Sequence, residues 1–279
     1  MSVTSFLRRA AYSPIGPLLM LPRRCEMAGV RLLREVGRAL RWLFTSREWT
    51  NFSYEYTQTG RDAAIEVLSI VTARPREEIA RYATELEQDQ ALRDSLRRGI
   101  EAAGYRFGID PGMGLGKRLL HYIVARATKP RVVVEAGTHL GLGAAVLRRA
   151  LERNRAEGHA GKLYAVDLIE GHGQLLDRSD ASIAELTIAD TVAFLERLGE
   201  PVDYFIHETA SDDAHERAQF AQLSKRLAPG GIVVTPWLTP RFIEFVHSQP
   251  GYGLLPIREE PARHWHGGDT MSFAFPLKR

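Results

Sequence analysis

The segment Glu135-Ala136-Gly137-Thr138-His139-Leu140-Gly141-Leu142-Gly143 follows a β-branched run and leads into an Ala- and Leu-rich stretch. Glycine lets a backbone turn sharply and come close to a ligand, and the free N–H groups of a helix start beyond it suit an anionic or polar group. The G-x-x-x-G-x-G spacing of Gly137, Gly141 and Gly143, with Glu135 two residues upstream, is not the G-x-G-x-x-G of a pyrophosphate loop, and no G-K-[ST] marks a P-loop. Asp167 ends a second apolar run, where a carboxylate can accept hydrogen bonds from both hydroxyls of a ribose. Asp190, followed by Thr191, ends a third; its carboxylate either accepts from an adenine amino group or caps the next helix. A fourth run, Val202-Asp203-Tyr204-Phe205-Ile206-His207-Glu208, ends in an imidazole and a carboxyl. Each is a candidate for moving a proton near neutral pH, and Glu208 is equally readable as a hydrogen-bonded scaffold acid. His264-Trp265-His266 has the H-x-H spacing of a zinc pair, but no third ligand accompanies it. A loop histidine or an acid–base group at the substrate pocket remains open there.

The elements that must position these groups are α/β in pattern. Pro130 and Val132-Val133-Val134 open a first strand after a helix over 117–128. Strand candidates recur at 162–166, 185–189, 202–207, 231–235, 253–258 and 271–275, with helical stretches between most of them. Strands alternating with helices predict a mostly parallel seven-stranded sheet with helices on both faces, and the last two strands, joined without a helix, predict an antiparallel edge. Before residue 104 the pattern is helical, over 27–46, 61–72 and 76–103, with no convincing strand. The expected division is a helical lid, 1–103, and a ligand-binding domain, 104–279. Trp49, Phe52, Tyr54 and Tyr56 lie in a polar connection, where they either line a lid over a positively charged ligand or pack the lid on its neighbour.

The 279 residues, 44% hydrophobic and 25% charged, suit one catalytic-size domain with an appendage and exclude a largely disordered chain. Cys25 is the only cysteine, which excludes an internal disulfide and points to the cytoplasm. No apolar run approaches the roughly 20 residues of a membrane span, and prolines interrupt the short apolar run near the start, so neither a membrane partner nor a signal peptide is expected. Residues 1–50 hold nine Arg against three Glu. Arg23, Arg24, Arg31, Arg34, Arg38 and Arg41 share their helix with Leu33, Val36, Leu40, Leu43 and Phe44 at helical spacing. A solvated basic face is the reading taken there, with contact to nucleic acid or to an anionic membrane as the other, and neither partner is expected.

Residues 105–279 resemble the class I S-adenosylmethionine-dependent methyltransferases, and within them the small-molecule methyltransferase-like group with a V-V-E-x-G-x-x-x-G-x-G first motif. The resemblance rests on Val133 to Gly143, Asp167, Asp190, Val202 to Glu208, and Leu227-Ala228-Pro229-Gly230-Gly231-Ile232-Val233-Val234, similar to the family's turn into its fifth strand. It implies a Rossmann-like fold and S-adenosyl-L-methionine as cofactor. Glu135, Gly137, Thr138, His139 and Gly141 would surround the methionyl part, Asp167 with Leu168 the ribose, and Asp190 with Thr191 the adenine. Glu208, His207, Tyr54 and Tyr56 would stand at the reacting end. Many relatives carry an Asp and a His after the fourth strand for a divalent metal. Ala210 and Ser211 occupy those places here, so no metal is expected, and Asp212, Asp213 and His215 read as a capped helix start. The function expected is a transferase of small-molecule biosynthesis that methylates a small-molecule substrate without a metal. Two alternatives stay open: cyclisation of the cofactor's own side chain to azetidine-2-carboxylate with release of methylthioadenosine, and a non-catalytic cofactor-binding protein. A homodimer is neither required nor excluded.

Overall fold

The structure, a computed structural model, describes residues 9, 12–50, 53–103, 108–110, 112, 114–209 and 212–277. Contacts divide the chain into two compact units. One holds Met1–Ser46 with Arg263–His266, the other Arg47–Ala262 with Gly267–Arg279.

The smaller unit contains α1 (Gly16–Leu19) and α2 (Leu21–Thr45). Pro22, in the first turn of α2, is tolerated because that turn has no intrahelical N–H partner to lose. Helix α2 starts six residues before the predicted boundary at 27. Trp42 meets His264 and Trp265 edge-on, ring centroids 5.9 and 5.8 Å away.

The larger unit runs β1 (Glu55–Tyr56), α3 (Gln58–Thr72), α4 (Arg76–Glu87), α5 (Gln90–Ala102), α6 (Arg118–Thr128), β2 (Val132–Ala136), α7 (Leu142–Ala156), β3 (Lys162–Asp167) and β4 (Ala184–Ile188). It continues with α8 (Thr191–Arg197), β5 (Val202–His207), α9 (Asp213–Arg226), β6 (Leu227–Thr235), α10 (Pro240–Ser248), β7 (Tyr252–Arg258), β8 (Pro261–Ala262) and β9 (Thr270–Pro276). Seven strands form one sheet in the order β4-β3-β2-β5-β6-β9-β7. The first five are parallel, and β9 is antiparallel to both β6 and β7. The predicted sheet and its antiparallel edge are therefore present, and the strand order reverses between β2 and β5, where a crevice opens at the strand ends.

Strand alternation sorts the side chains onto two faces. Val133, Ala165, Tyr204, Ile206 and Ile232 share a core with Leu68, Ile79, Leu120 and Leu147 of α3, α4, α6 and α7. Val134, Val166, Phe205 and Val233 share the other with Phe194, Phe220 and Phe242 of α8, α9 and α10. Arg126, buried on α6, bonds to Glu85, Asn154 and Glu157 and so ties three helices together.

Two local expectations are corrected. The single helix expected over 76–103 breaks at Gln88 and Asp89. Asp89 caps α5 through the Leu92 N–H at 3.0 Å, and the guanidinium groups of Arg149 and Arg153 hold its carboxylate, with its pKa drawn down to about 2. Burial opposes that shift, but the arginine hydrogen bonds exceed it. The region before residue 104 also has a strand, β1, paired with β8 through Glu55–Ala262 and Tyr56–Pro261. Two residues are too few for alternation to register.

Candidate active site

The glycine turn sits at the end of β2. Gly137 has φ +89° and donates its N–H to the Val166 carbonyl at 2.8 Å; a Cβ there would lie 2.6 Å from the Glu208 carbonyl oxygen. Only glycine meets both demands. Gly143, in the first turn of α7, allows a different approach, since a Cβ would fall 2.0 Å from Glu135 Oε1. The carboxyl of Glu135 is thereby folded under the turn. It is 3% exposed, and its Oε2 has no hydrogen-bond partner among the described residues. Burial pushes its pKa up to about 8, aided by the charge of Glu208 and opposed by Arg118 and Thr138.

Glu135, Gly137, Thr138, His139 and Gly143 line a cavity of about 310 Å³. Lys117, Arg118, His121, Glu208, Trp237 and Asp269 also line it, with Ile109, Leu140 and Leu142 as apolar wall. That volume is at the lower end for a small-molecule pocket. Across it, Lys117 Nζ stands 2.6 Å from Glu208 Oε2 and 3.7 Å from an Asp269 oxygen. His121 Nε2 is 3.2 Å from Glu208 Oε1, and its Nδ1 is 3.1 Å from the Tyr204 hydroxyl. An ionised carboxylate only accepts, so the proton belongs on Nε2 and Tyr204 donates to Nδ1. Burial lowers the pKa of His121, against the pull of Glu208. Burial would likewise raise the pKa of Glu208, but the charge of Lys117, the bond from His121 and the charge of Arg118 together hold it well below the usual carboxylate range.

At the end of β3, Asp167 Oδ2 accepts from the His139 N–H at 2.8 Å, and Oδ1 accepts from the Ile169 N–H at 2.9 Å with His172 Nδ1 3.0 Å away. Burial opposes ionisation, yet these neighbours keep its pKa below normal. Leu168 is exposed beside it. Gly141, at φ +92°, is the N-cap of α7. Asp190 caps α8 through the Ala193 N–H at 3.0 Å, with Thr191 buried behind it.

The remaining predicted residues lie elsewhere. His207 points to the other face of β5, against Phe220 and Trp237, with Nε2 3.5 Å from Glu216; it is not part of the cavity wall. Tyr54 is buried and Tyr56 partly so, and both hydroxyls donate to Glu259 Oε1. They line a second cavity, of about 420 Å³, with Arg61, Leu115 and Gly116. Glu259 Oε2 in turn accepts from the Asp269 N–H, 3.3 Å away, which links the tyrosines to the glycine-turn cavity. Trp49 is exposed, and Phe52, Ala210 and Ser211 lie outside the described residues.

Asp212 caps α9 through the His215 N–H at 2.8 Å, as the capped reading requires. His264 is buried, and its Nδ1 accepts from the His266 N–H. No group of three His, Cys, Asp or Glu residues is arranged for a metal ion among the described residues.

Sequence reading missed Lys117, His121 and Tyr204. A signal existed in two polar residues four apart, Lys117 and His121, on a helix whose other positions are mostly apolar, since i and i+4 share a face.

Residues 134–235 match the family model of a methyltransferase domain. The sheet strands, numbered in their order of appearance along the chain, lie in the order 3-2-1-4-5-7-6, a Rossmann-like arrangement. Among solved structures the chain is similar to the O-methyltransferase TomG from Streptomyces achromogenes, involved in tomaymycin synthesis and solved with S-adenosylmethionine. The two are 20% identical at a TM-score of 0.49, over 65% of this chain and 89% of that one. A methyltransferase from Geobacter sulfurreducens is 16% identical, with a TM-score of 0.49, over 66% of this chain and 90% of its own. The O-methyltransferase from Bacillus cereus, solved with S-adenosylhomocysteine, is 17% identical, with a TM-score of 0.46, over 68% and 91%. No curated protein matches in sequence.

Proposed function

We propose that this protein binds S-adenosylmethionine at the glycine turn and transfers its methyl group to a small-molecule acceptor without a metal ion. The observation that carries this reading is Glu135, a buried carboxyl with one oxygen unpartnered beneath a turn that excludes side chains. An ammonium group would supply the donor this oxygen lacks, and the amino-acid end of this cofactor has one. The donor set therefore fits. Gly137, Thr138, His139 and Gly141 surround the methionyl part, Asp167 and Leu168 the ribose, and Asp190 and Thr191 the adenine. Asp167 retains acceptor capacity beyond its two amide bonds and its contact with His172, and the cap made by Asp190 uses Oδ1, while Oδ2, 3.6 Å from His215 Nδ1, keeps a further lone pair to accept.

When bound, the cofactor supplies a methyl carbon already made electrophilic by its sulfonium. The protein's share is to position the acceptor and exclude water. Glu208, kept ionised by Lys117 and His121, holds the acceptor's polar hydrogen. A carboxylate of such low pKa is a weak base. It suffices, because the acceptor's proton becomes strongly acidic only as its atom gains the methyl group. Tyr54 and Tyr56 close the acceptor side through Glu259 and Asp269. The exposed thiol of Cys25 suits a reducing compartment, the cytoplasm.

Product analysis tests the reading. S-adenosylhomocysteine that accumulates only with an added acceptor supports it. Methylthioadenosine formed without an acceptor points to cyclisation, and binding with no product under any acceptor to a sensor. Tight NAD binding with no response to S-adenosylmethionine overturns the cofactor itself.

A further inference from the structure

Helix α2 is the longest helix among the described residues, 25 residues, and buries none of them. At 3.6 residues per turn it would extend roughly 37 Å. Most of its residues sort around the axis, with Glu26 inside the apolar arc and Met27 and Trp42 inside the basic one. Leu32, Leu33, Val36, Leu40, Leu43 and Phe44 fall on one arc, about 160° wide with its smaller members, and Arg23, Arg24, Arg31, Arg34, Arg38 and Arg41 fall on the other. The apolar arc is in solvent: Leu33 is 72% exposed, Leu40 49% and Phe44 85%. The only carboxylates on the helix are Glu26, which pairs with Arg23, and Glu35, which pairs with Arg38. Arg24, Arg31, Arg34 and Arg41 have no carboxylate partner among the described residues.

We infer that α2 lies in the surface of an anionic lipid bilayer, its leucine arc in the acyl boundary and its arginines on the headgroup phosphates. A wide apolar arc opposite a strongly basic one, with low mean hydropathy, is the pattern of a helix that binds in the plane of the interface. Charge decides between occupants. A coiled-coil partner needs a narrower seam flanked by charges of both signs, and a second copy of α2 packed leucine arc to leucine arc would leave the outward-facing arginines without an anionic partner. A nucleic acid would engage the arginines and leave the leucines in water. An anionic bilayer satisfies both arcs at once. No helix among the described residues is long and apolar enough to cross a membrane, so attachment is to one surface. The inference replaces the expectation of no membrane partner and is independent of the methyl-transfer reading.

The experiment is co-sedimentation of the full chain with vesicles of phosphatidylcholine alone and of phosphatidylcholine mixed with phosphatidylglycerol. Binding to the mixed vesicles is expected to be at least about tenfold tighter and to weaken as salt rises, since screening acts on the arginines. The double variant Leu33→Asp, Leu40→Asp is expected to lose vesicle binding, and Arg31→Ser with Arg34→Ser to lose the preference for phosphatidylglycerol. Neither pair contributes to a core, so both proteins should keep the wild-type circular dichroism and S-adenosylmethionine affinity, which distinguishes failure of this inference from failure of the cofactor reading. Equal, weak binding to both vesicle types overturns the inference. So does a concentration-dependent dimer that Leu33→Asp, Leu40→Asp converts to monomer while vesicles are ignored, or retention on duplex RNA with no vesicle binding.

Discussion

The ammonium of Lys117, at the entry to α6, lies 2.6 Å from Oε2 of Glu208, just beyond β5, and neither side chain is more than 15% exposed. A pair this enclosed stabilises little in net terms, because both charges leave water, but breaking one half strands the other. Lys117→Met is therefore expected to cost about 3–5 kcal/mol in denaturant unfolding and to abolish turnover. The double variant Lys117→Met, Glu208→Gln is expected to regain most of the stability and none of the activity. If Lys117→Met unfolds like the wild type, the pair is not closed in solution.

Glu135 sets a pH dependence. In the folded apoprotein its pKa is about 8 against an ordinary 4.5, so between those values the folded state keeps a proton that the unfolded chain has lost. Stability then falls as pH rises through that window, by up to a few kcal/mol. Glu135→Gln, which copies the neutral carboxyl, should flatten the fall. Binding a cation at Glu135 favours the ionised form, so S-adenosylmethionine should release a proton near pH 7. Calorimetry in buffers of different ionisation enthalpy reads this directly, and a binding heat that ignores the buffer would remove Glu135 from the ammonium's site.

The glycine turn, Asp167 at a strand end and the strands themselves were legible because each is local. β-branched runs, glycine spacing and the residue after a strand do not depend on what packs against them. The cavity wall was not. Lys117 and His121 become informative only when α6 is laid beside the end of β5, a contact between residues 87 to 91 positions apart in sequence. His207 and Glu208 looked equivalent in the sequence, and strand alternation separates them once the cavity's face is known: Glu208 shares that of Glu135 and Tyr204, His207 that of Phe205. The break at Asp89 was hidden for a similar reason. A helix-neutral Gln-Asp pair ends α4 because Arg149 and Arg153, on α7, make a carboxylate cap worth having at that spot.

Asp167 should matter to cofactor affinity more than to folding. Asp167→Asn keeps acceptor oxygen for one backbone N–H while removing the charge, and S-adenosylmethionine affinity is expected to fall by at least about 1 kcal/mol, on the scale of a lost charged hydrogen bond. Unchanged affinity by calorimetry would move the ribose away from β3.

Turnover should survive chelation. The described residues offer no three-ligand metal group, and the proposed chemistry draws its electrophile from the cofactor. Activity lost in EDTA and restored by magnesium or zinc would return attention to Asp212 and Asp213, or to His264 and His266.

The hydroxyls of Tyr54 and Tyr56 converge on one oxygen of Glu259, and this shared acceptor makes the role of the segment testable. Burial raises the pKa of Glu259, while the two tyrosine bonds work the other way. Tyr54→Phe with Tyr56→Phe keeps both rings and removes both donors, leaving a buried acceptor unmet. The expected cost is about 1–3 kcal/mol of stability. A purely structural role ends there. If the segment also closes the acceptor side, the loosened Glu259 lets Asp269 shift beside Lys117, and the cavity admits water. Turnover measured well below the unfolding transition should then fall by more than the change in folded fraction accounts for, with S-adenosylmethionine affinity nearly unchanged because the glycine turn is untouched. Normal turnover in a protein that is merely less stable would reduce Tyr54 and Tyr56 to packing, and the closure of the site would have to be sought at Trp237.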